Sequence, residues 1–326
     1  MKIFKIIKEG DKTNYYFLNH RFLTTKHKSK YSKIYAKRFK GLTEKEMRYC
    51  IEKQFMANTG FPLSLDNPQT FNEKLQYLKL YYHKHPNPLM TICSDKVAVR
   101  DYIKEKIGEE YLIPCLGVWD NPDDIDFEKL PNQFALKVNW GSGQNIIVKD
   151  KSTLDIEKTK KQLSEWMKPE SNHYYDFFEP CYKNIQSKVI AEKYIEQIDG
   201  QVYDYKFMCF HGKPCWILAC KDRGTKTVYE NYDIDWNLFV PTPKSSAQAT
   251  IEKPKHFDKM IEIAEKLSKP FPFVRVDFYE VSDKVYIGEL TFVPNSGFNS
   301  YGKEYNDKFG VLLDLSKLNS EYVNVI

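Results

Sequence analysis

Residues 271–299, FPFVRVDFYEVSDKVYIGELTFVPNSGFN, carry the side chains best spaced to do chemistry. Two apolar runs read as strands, Phe273–Glu280 and Val285–Phe292, joined by a three-residue loop of Ser282, Asp283 and Lys284. That loop sets Asp277 opposite Glu289 and Arg275 opposite Thr291, and strand alternation puts all four on one face. Opposed carboxylates sit ~4.5–5.5 Å apart at Cβ and repel each other. A hard divalent cation relieves that repulsion, and Mg²⁺ is usually held by one or two carboxylates together with substrate phosphates. A solvated hairpin with a charged outer face satisfies the same spacing, and a bulge would alter the pairing. The pattern alone leaves both readings open.

Four further stretches have chemical potential. Lys137 lies in the apolar run Phe134–Asn139, where an ammonium needs a partner. The turn after it holds Gly141, Ser142 and Gly143, whose backbone can wrap an anion. It has neither the P-loop nor the GxGxxG spacing, and a plain hairpin turn fits equally well. Asp95 and Lys96 start a helix. Glu192, Tyr194 and Ile195 close a strand that runs toward Asp199, an arrangement suited to a purine and its ribose but generic. Asp204 and Lys206 share a strand face, as an ion pair would. Asp233-Ile234-Asp235 is a DxD, the pattern that often binds a metal-bound nucleotide sugar. It lies in chain that reads as irregular, with no βαβ series before it.

These residues need a scaffold. The order of elements is helix at 43–58 behind a Thr43/Glu46 capping box, helix from Phe71 to about Tyr82, helix at 94–107, strands at 111–118, 134–139 and 146–149, helix at 153–168, strand at 189–195, a hairpin of 201–210 and 213–221, irregular chain over 230–250, helix at 256–267, the opening hairpin, and a closing segment at 305–315. Mixed helices and antiparallel hairpins predict an α+β fold. His83 and His85 fall in a Pro/Asn turn and read as surface residues. The chain has 326 residues, 23 Tyr and 21 Phe, which is room for several subdomains and no composition for disorder. Seven scattered cysteines without a CxxC pair predict a reducing, cytoplasmic setting rather than disulfides or zinc. No apolar run reaches the length of a membrane span. Residues 1–40 carry a net charge of +10 and the rest −5. That basic arm predicts contact with an anionic membrane or an acidic glycan, while the mildly acidic body predicts no nucleic-acid partner.

Taken together the stretches resemble the ATP-grasp superfamily, and within it the TupA-like branch named for teichuronopeptide synthesis. The resemblance spans about residues 40–315. It rests on Asn67-Pro68-Gln69-Thr70-Phe71-Asn72-Glu73-Lys74-Leu75-Gln76, Asp95-Lys96 with Arg100, Ile113-Pro114, Leu130-Pro131 with Phe134–Lys137, Asp204-Tyr205-Lys206-Phe207, Arg275–Tyr279 and Gly288–Phe292. It implies two α+β lobes clasping a nucleotide, preceded by a helical N-terminal region. The implied division is a basic arm at 1–40, helical region 41–92, first lobe 93–188 and second lobe 189–326. It also implies ATP and Mg²⁺. Lys96 and Lys137 would contact phosphates, with Gly141, Ser142 and Gly143 closing over them. Glu192, Tyr194 and Ile195 would line the adenine hinge, with Asp199 on the ribose. Asp277 and Glu289 would hold the metal and Arg275 would stabilise developing charge. Lys206 and Arg223 are catalytic and substrate candidates, joined by Asp204 on the substrate side. Many relatives carry Glu-x-Asn at the second metal strand. Here Thr291 stands in the Asn place, so Thr291 or Asn295 is expected to complete the set. The implied reaction is amide formation between a carboxylate and an amine through an acyl phosphate, plausibly on a uronic acid of a capsule or other surface polysaccharide, in the cytoplasm or at the inner membrane face. A DxD glycosyltransferase and an inactive ATP-grasp scaffold are the alternatives. Asp277→Asn and Glu289→Gln are expected to abolish turnover with little loss of fold.

Overall fold

The computed structural model describes residues 4–9, 12–17, 20–25, 30–195, 203–221 and 227–318. The chain divides into two units, residues 1–68 and 69–326.

In the first unit, β1 (Phe4–Glu9), β2 (Lys12–Phe17) and β3 (His20–Thr25) form an antiparallel meander. These three strands lie within the basic arm expected over residues 1–40. Two helices follow, α1 (Lys30–Tyr35) and α2 (Glu44–Thr59). The capping box starts α2: Glu46 N–H donates to Thr43 Oγ1 and Thr43 N–H to Glu46 Oε2.

The second unit opens with α3 (Phe71–Lys84), α4 (Pro88–Ser94) and α5 (Val99–Ile107). The helix expected at 94–107 begins only at Val99, because a separate helix, α4, ends at Ser94 and residues 95–98 turn a corner. Asp95, which ends α4, is extended there, and its Oδ1 accepts from Val97 N–H at 2.8 Å, which turns the chain before α5. Lys96 therefore projects from a corner rather than along a helix.

Then come β4 (Cys115–Trp119), β5 (Phe134–Val138), β6 (Asn145–Val148), α6 (Ile156–Trp166), α7 (His173–Phe177) and β7 (Val189–Lys193). The four strands make an antiparallel sheet in the order β4-β7-β5-β6. One face buries Phe134, Leu136, Val138, Val189 and Ala191 together with Leu163 of α6. Alternation leaves Lys137 and Glu192 on the other face.

A six-stranded antiparallel sheet completes the unit: β8 (Asp204–Phe210), β9 (Lys213–Lys221), β10 (Val228–Asp233), β11 (Leu238–Phe239), β12 (Phe273–Val281) and β13 (Lys284–Thr291), ordered β11-β10-β9-β8-β12-β13. Between β11 and β12, α8 (Phe257–Ser268) lays Phe257, Met260, Ile263, Ala264 and Leu267 on this sheet. The 230–250 stretch, expected to be irregular, holds most of β10 and all of β11, because its Tyr- and Trp-rich segment pairs with the edge of β9. The last helix, α9 (Lys303–Leu312), crosses α3. Phe71, Phe210, Trp216, Phe273 and Phe309 interlock beneath that crossing, with Trp216 and Phe309 stacked at 3.7 Å. Helices packed against antiparallel sheets give the α+β class that the sequence predicts.

The NPQTFNEKLQ stretch now has a physical role. Thr70 and Glu73 cap α3, and Phe71 enters the core. Asn72 Nδ2 donates to Asn299 O at 2.6 Å, and Lys74 Nζ to Gly310 O and Leu313 O at 2.9 Å each. Its polar residues grip the chain that follows β13.

Candidate active site

The β12–β13 pair sets Arg275 opposite Thr291 and Asp277 opposite Glu289. The expected pairing occurs, but by a different route. The turn is two residues long, Ser282 and Asp283, both with positive φ. Such a turn alone would slip the pairing by one residue. A bulge beside Asp277, with Gly288 as the extra residue, restores it, since Phe278 pairs with Ile287 while Asp277 pairs with Glu289.

The carboxylates are held by the chain's own cations. Asp277 is 1% exposed. Its Oδ1 accepts from Arg275 Nε at 2.6 Å, and its Oδ2 from Arg275 Nη2 at 2.7 Å and Lys206 Nζ at 2.5 Å. Arg275 Nη2 also donates to Glu289 Oε1 at 2.6 Å, and Thr291 Oγ1 donates to the same oxygen at 2.9 Å. Burial opposes the charge on Glu289, but Arg275, Lys96 and Lys206 overcome it and bring its pKa down to about 2. Burial likewise opposes the charge on Lys206 and Arg275, but Asp277, Asp204 and Glu289 together outweigh it in both, leaving each raised.

Across the cleft, Lys96 Nζ donates to Gly141 O at 2.8 Å, and Lys137 Nζ to Glu192 Oε2 at 2.6 Å. Arg100 Nη1 reaches Glu192 Oε1 at 3.3 Å. Burial pulls the Lys96 pKa below its ordinary value. Lys96, Lys137, Glu192, Tyr182 and Glu289 line one cleft. Gly141 and Gly143 have φ of +70° and +75°, a backbone that a side chain would strain. Ser142 between them is exposed.

The structure thus joins Lys96, Lys137, Glu192 and Glu289 in one cleft, and links Lys206, Arg275 and Asp277 to it through ion pairs. Asp204 is fully buried, 3.5 Å from Lys206 Nζ, so it supports that lysine from beneath. Glu192 is turned to Lys137 and Arg100. Tyr194 lies past the end of β7 under Lys149, and Ile195 follows it, half-buried. Thr291 is a donor to Glu289. Asn295 is exposed, and no hydrogen bond between it and Asp277 or Glu289 is present among the described residues. Asp199 and Arg223 lie outside the described residues. Asp233 is engaged in closing a turn: its Oδ1 accepts from Asp235 N–H at 3.0 Å and Asn237 N–H at 2.8 Å, and its Oδ2 from Asn237 Nδ2 at 3.0 Å. That turn accounts for the DxD spacing.

Two residues of the cleft had no assigned role from sequence. Arg100 follows Lys96 by four residues, a spacing that was there to be read. Tyr182 sits in an irregular stretch and gave no signal.

For a divalent cation, the donor chemistry fits. Asp277 and Glu289 are opposed oxygen donors on one face, and Glu289 keeps its charge. Among the described residues no group of three or more His, Cys, Asp or Glu side chains could hold a metal alone. The set suits an ion that takes its other ligands from phosphates and water. Asp277 would have to share oxygens now given to Arg275 and Lys206.

Lysines on one wall and a carboxylate–arginine hairpin on the other have the charges suited to a phosphate-bearing ligand. The chain matches the TupA-like ATPgrasp family over residues 73–314, and it belongs to that family. Its fold is the ATP-grasp fold. No curated protein sequence matches it. Among solved structures, D-alanine–D-alanine ligase from Bacillus anthracis complexed with ATP is 18% identical, with 62% of this chain and 54% of that chain covered and a TM-score of 0.37. This chain thus spans about half the length of that one. A second structure of the Bacillus anthracis ligase is 17% identical, with 83% and 90% covered and a TM-score of 0.44. N5-carboxyaminoimidazole synthase from Aspergillus clavatus, in complex with ADP and an aminoimidazole ribonucleotide, is 12% identical, with 63% and 46% covered and a TM-score of 0.35. Among the described residues no helix is long and apolar enough to cross a membrane.

Proposed function

We propose that this protein is an ATP- and Mg²⁺-dependent carboxylate–amine ligase that joins an amino acid or simple amine to a carboxylated sugar during synthesis of a capsule or other surface polysaccharide. The observation that carries the reading is the single cleft in which Lys96 and Lys137 face Glu289, beside Arg275 and Lys206. A triphosphate needs fixed cations, and a carboxylate to be activated needs a second set nearby.

In the first step a carboxylate oxygen of the acid attacks the γ-phosphorus of ATP, the bond to the β,γ-bridging oxygen breaks, and ADP leaves. Lys96 and Lys137 bind phosphate oxygens, exchanging Gly141 O and Glu192 for them. Arg275 donates to charge that develops on the transferred group, a stabilisation that is strong in a site from which water is excluded. In the second step the amine attacks the acyl carbon. Phosphate leaves with the electrons of the acyl C–O bond, and the proton lost from the amine nitrogen passes to the departing phosphate. Mg²⁺, when held by Asp277 and Glu289, supplies charge neutralisation for the phosphates. Gly141, Ser142 and Gly143 cover the reactive anhydride and keep water from it. Glu192, Tyr194, Ile195 and Asp199 take the adenosine, while Lys206 and Arg223 contact the substrate carboxylate. The work is done in the cytoplasm, with residues 1–40 able to approach an anionic inner membrane face or an acidic glycan.

The test is to incubate the protein with ATP, Mg²⁺ and pools of uronic acids and amines, and to follow ADP. ADP formed only when acid and amine are both present supports the ligase. Hydrolysis of nucleotide sugars without ATP use overturns it.

A further inference from the structure

Residues 172–182 connect α6 to β7 and were given no task by the sequence. Their side chains reach both halves of the site. At one end, Ser142 N–H of the glycine turn points to His173 Nε2 at 3.5 Å, and Gln144 Nε2 donates to Ser171 O at 2.9 Å. The contact is tight, because a Cβ on Gly141 would lie 2.9 Å from His173 Cδ2. At the other end, Ser296 Oγ donates to Glu179 Oε1 at 2.6 Å. Between them, the His173 and Phe177 rings are 5.9 Å apart, and Phe177 meets Phe298 edge-on at 6.2 Å.

Ser296 belongs to the segment that leaves β13, four to six residues beyond Thr291. Asn295, Ser296 and Gly297 all have positive φ, of 49°, 53° and 71°. Non-glycine residues hold that backbone only when their surroundings fix it. Here Gln76 Nε2 donates to Ser296 O at 2.9 Å and to Gly297 O at 3.0 Å, and Lys79 Nζ to Ser296 O at 2.8 Å. Gln76 and Lys79 are fully buried and Glu179 nearly so. A lysine and a glutamate this deep, meeting at one serine, are costly for stability alone, since an apolar trio would fill the same space.

We propose that residues 172–182 form a strut that sets the glycine turn against the segment leaving β13, with His173 positioning the turn and Glu179, backed by Lys79, positioning Ser296. Both are positioning residues, not catalytic ones. Tyr182 ends the strut inside the cleft, where burial raises its pKa and Glu179, Glu289 and Arg275 all act on it. One segment therefore touches the glycine turn, the chain that leaves β13 and the cleft between them. This inference rests on the ligase reading of the site.

Two pairs of variants of the full chain test it. His173→Ala removes the ring that rests against the glycine turn, and His173→Gln keeps a polar side chain there. Ser296→Ala deletes one hydroxyl, and Glu179→Gln keeps an acceptor for it. The readouts are ATP affinity by calorimetry, with and without Mg²⁺, the KM and kcat of ADP formation, and the melting temperature. We expect His173→Ala to weaken ATP binding about 10-fold and His173→Gln to recover most of that loss. We expect Ser296→Ala to lower kcat about 10-fold with an unchanged melting temperature, and Glu179→Gln to retain activity. If His173→Ala binds ATP as wild type does, or if Ser296→Ala changes neither KM nor kcat, the strut is refuted while the ligase stands. Wild-type protein that binds no ATP refutes the ligase instead.

Discussion

Asp277→Asn separates a metal ligand from a structural counter-ion. In sequence terms both Asp277→Asn and Glu289→Gln should leave the fold intact. The structure predicts otherwise for the first. Asp277 is buried and takes three charge-assisted hydrogen bonds, two from Arg275 and one from Lys206, at 2.5–2.7 Å. An amide keeps the shape but removes the charge, and it turns one acceptor into a donor aimed at a cation. Losing one partner of a buried ion pair costs about 3–5 kcal/mol. For a unit of this size, each kcal/mol moves the melting temperature by about 2–4 °C, so a fall on the order of 6–20 °C is expected. Glu289 has a side chain 40% exposed, and Arg275 keeps Asp277 when it is changed. Solvent screens that pair, so Glu289→Gln should cost about 1 kcal/mol or less. Urea unfolding followed by circular dichroism, without nucleotide or metal, measures both. Equal and small losses for the two variants would refute the assignment of Asp277 as counter-ion to Arg275 and Lys206.

Other consequences can be measured on the same protein. Gly310→Ala drives a methyl carbon into Gln69 O at the α3–α9 crossing, which must open; a loss of about 1–3 kcal/mol or more in urea unfolding is expected, and wild-type stability would contradict the packing. Lys137→Met removes one charge-assisted hydrogen bond to a phosphate and should weaken ATP binding about 10–100-fold by calorimetry. Glu289 has a depressed pKa, so its stabilising effect is complete above the ordinary glutamate value of 4.5 and is lost as the pH falls toward about 2. The melting temperatures of wild type and Glu289→Gln should therefore converge as the pH is lowered through that window. A constant gap would mean that Glu289 is not held by Arg275, Lys96 and Lys206.

The hairpin was legible because a strand period of two and a pair of opposed carboxylates survive local error. The turn was read one residue too long and the bulge was not placed, and the two differences offset each other at Gly288. Lys137 was legible for a different reason: a lysine in an apolar strand demands a partner, and Glu192 is that partner. What stayed hidden depends on tertiary contact. The corner at Asp95 is set by a side-chain cap that also accepts from Asn139 Nδ2, a residue 44 positions away. Arg275 as neutraliser of both carboxylates could not be read from alternation, which gives a face and not a hydrogen-bond direction. His173 and Glu179 lie in chain with no period at all. The N-terminal strands carried the right alternation, but their charge drew the reading toward an arm.

The central claim is that a carboxylate is activated by the γ-phosphoryl group of ATP before an amine captures it. The direct measurement uses ¹⁸O-labelled uronic acids with ATP, Mg²⁺ and the amine pool, followed by mass analysis of the inorganic phosphate. An acyl phosphate requires one labelled oxygen to pass from the carboxylate to phosphate for each amide formed. Phosphate that carries no label, alongside amide product, would contradict the account.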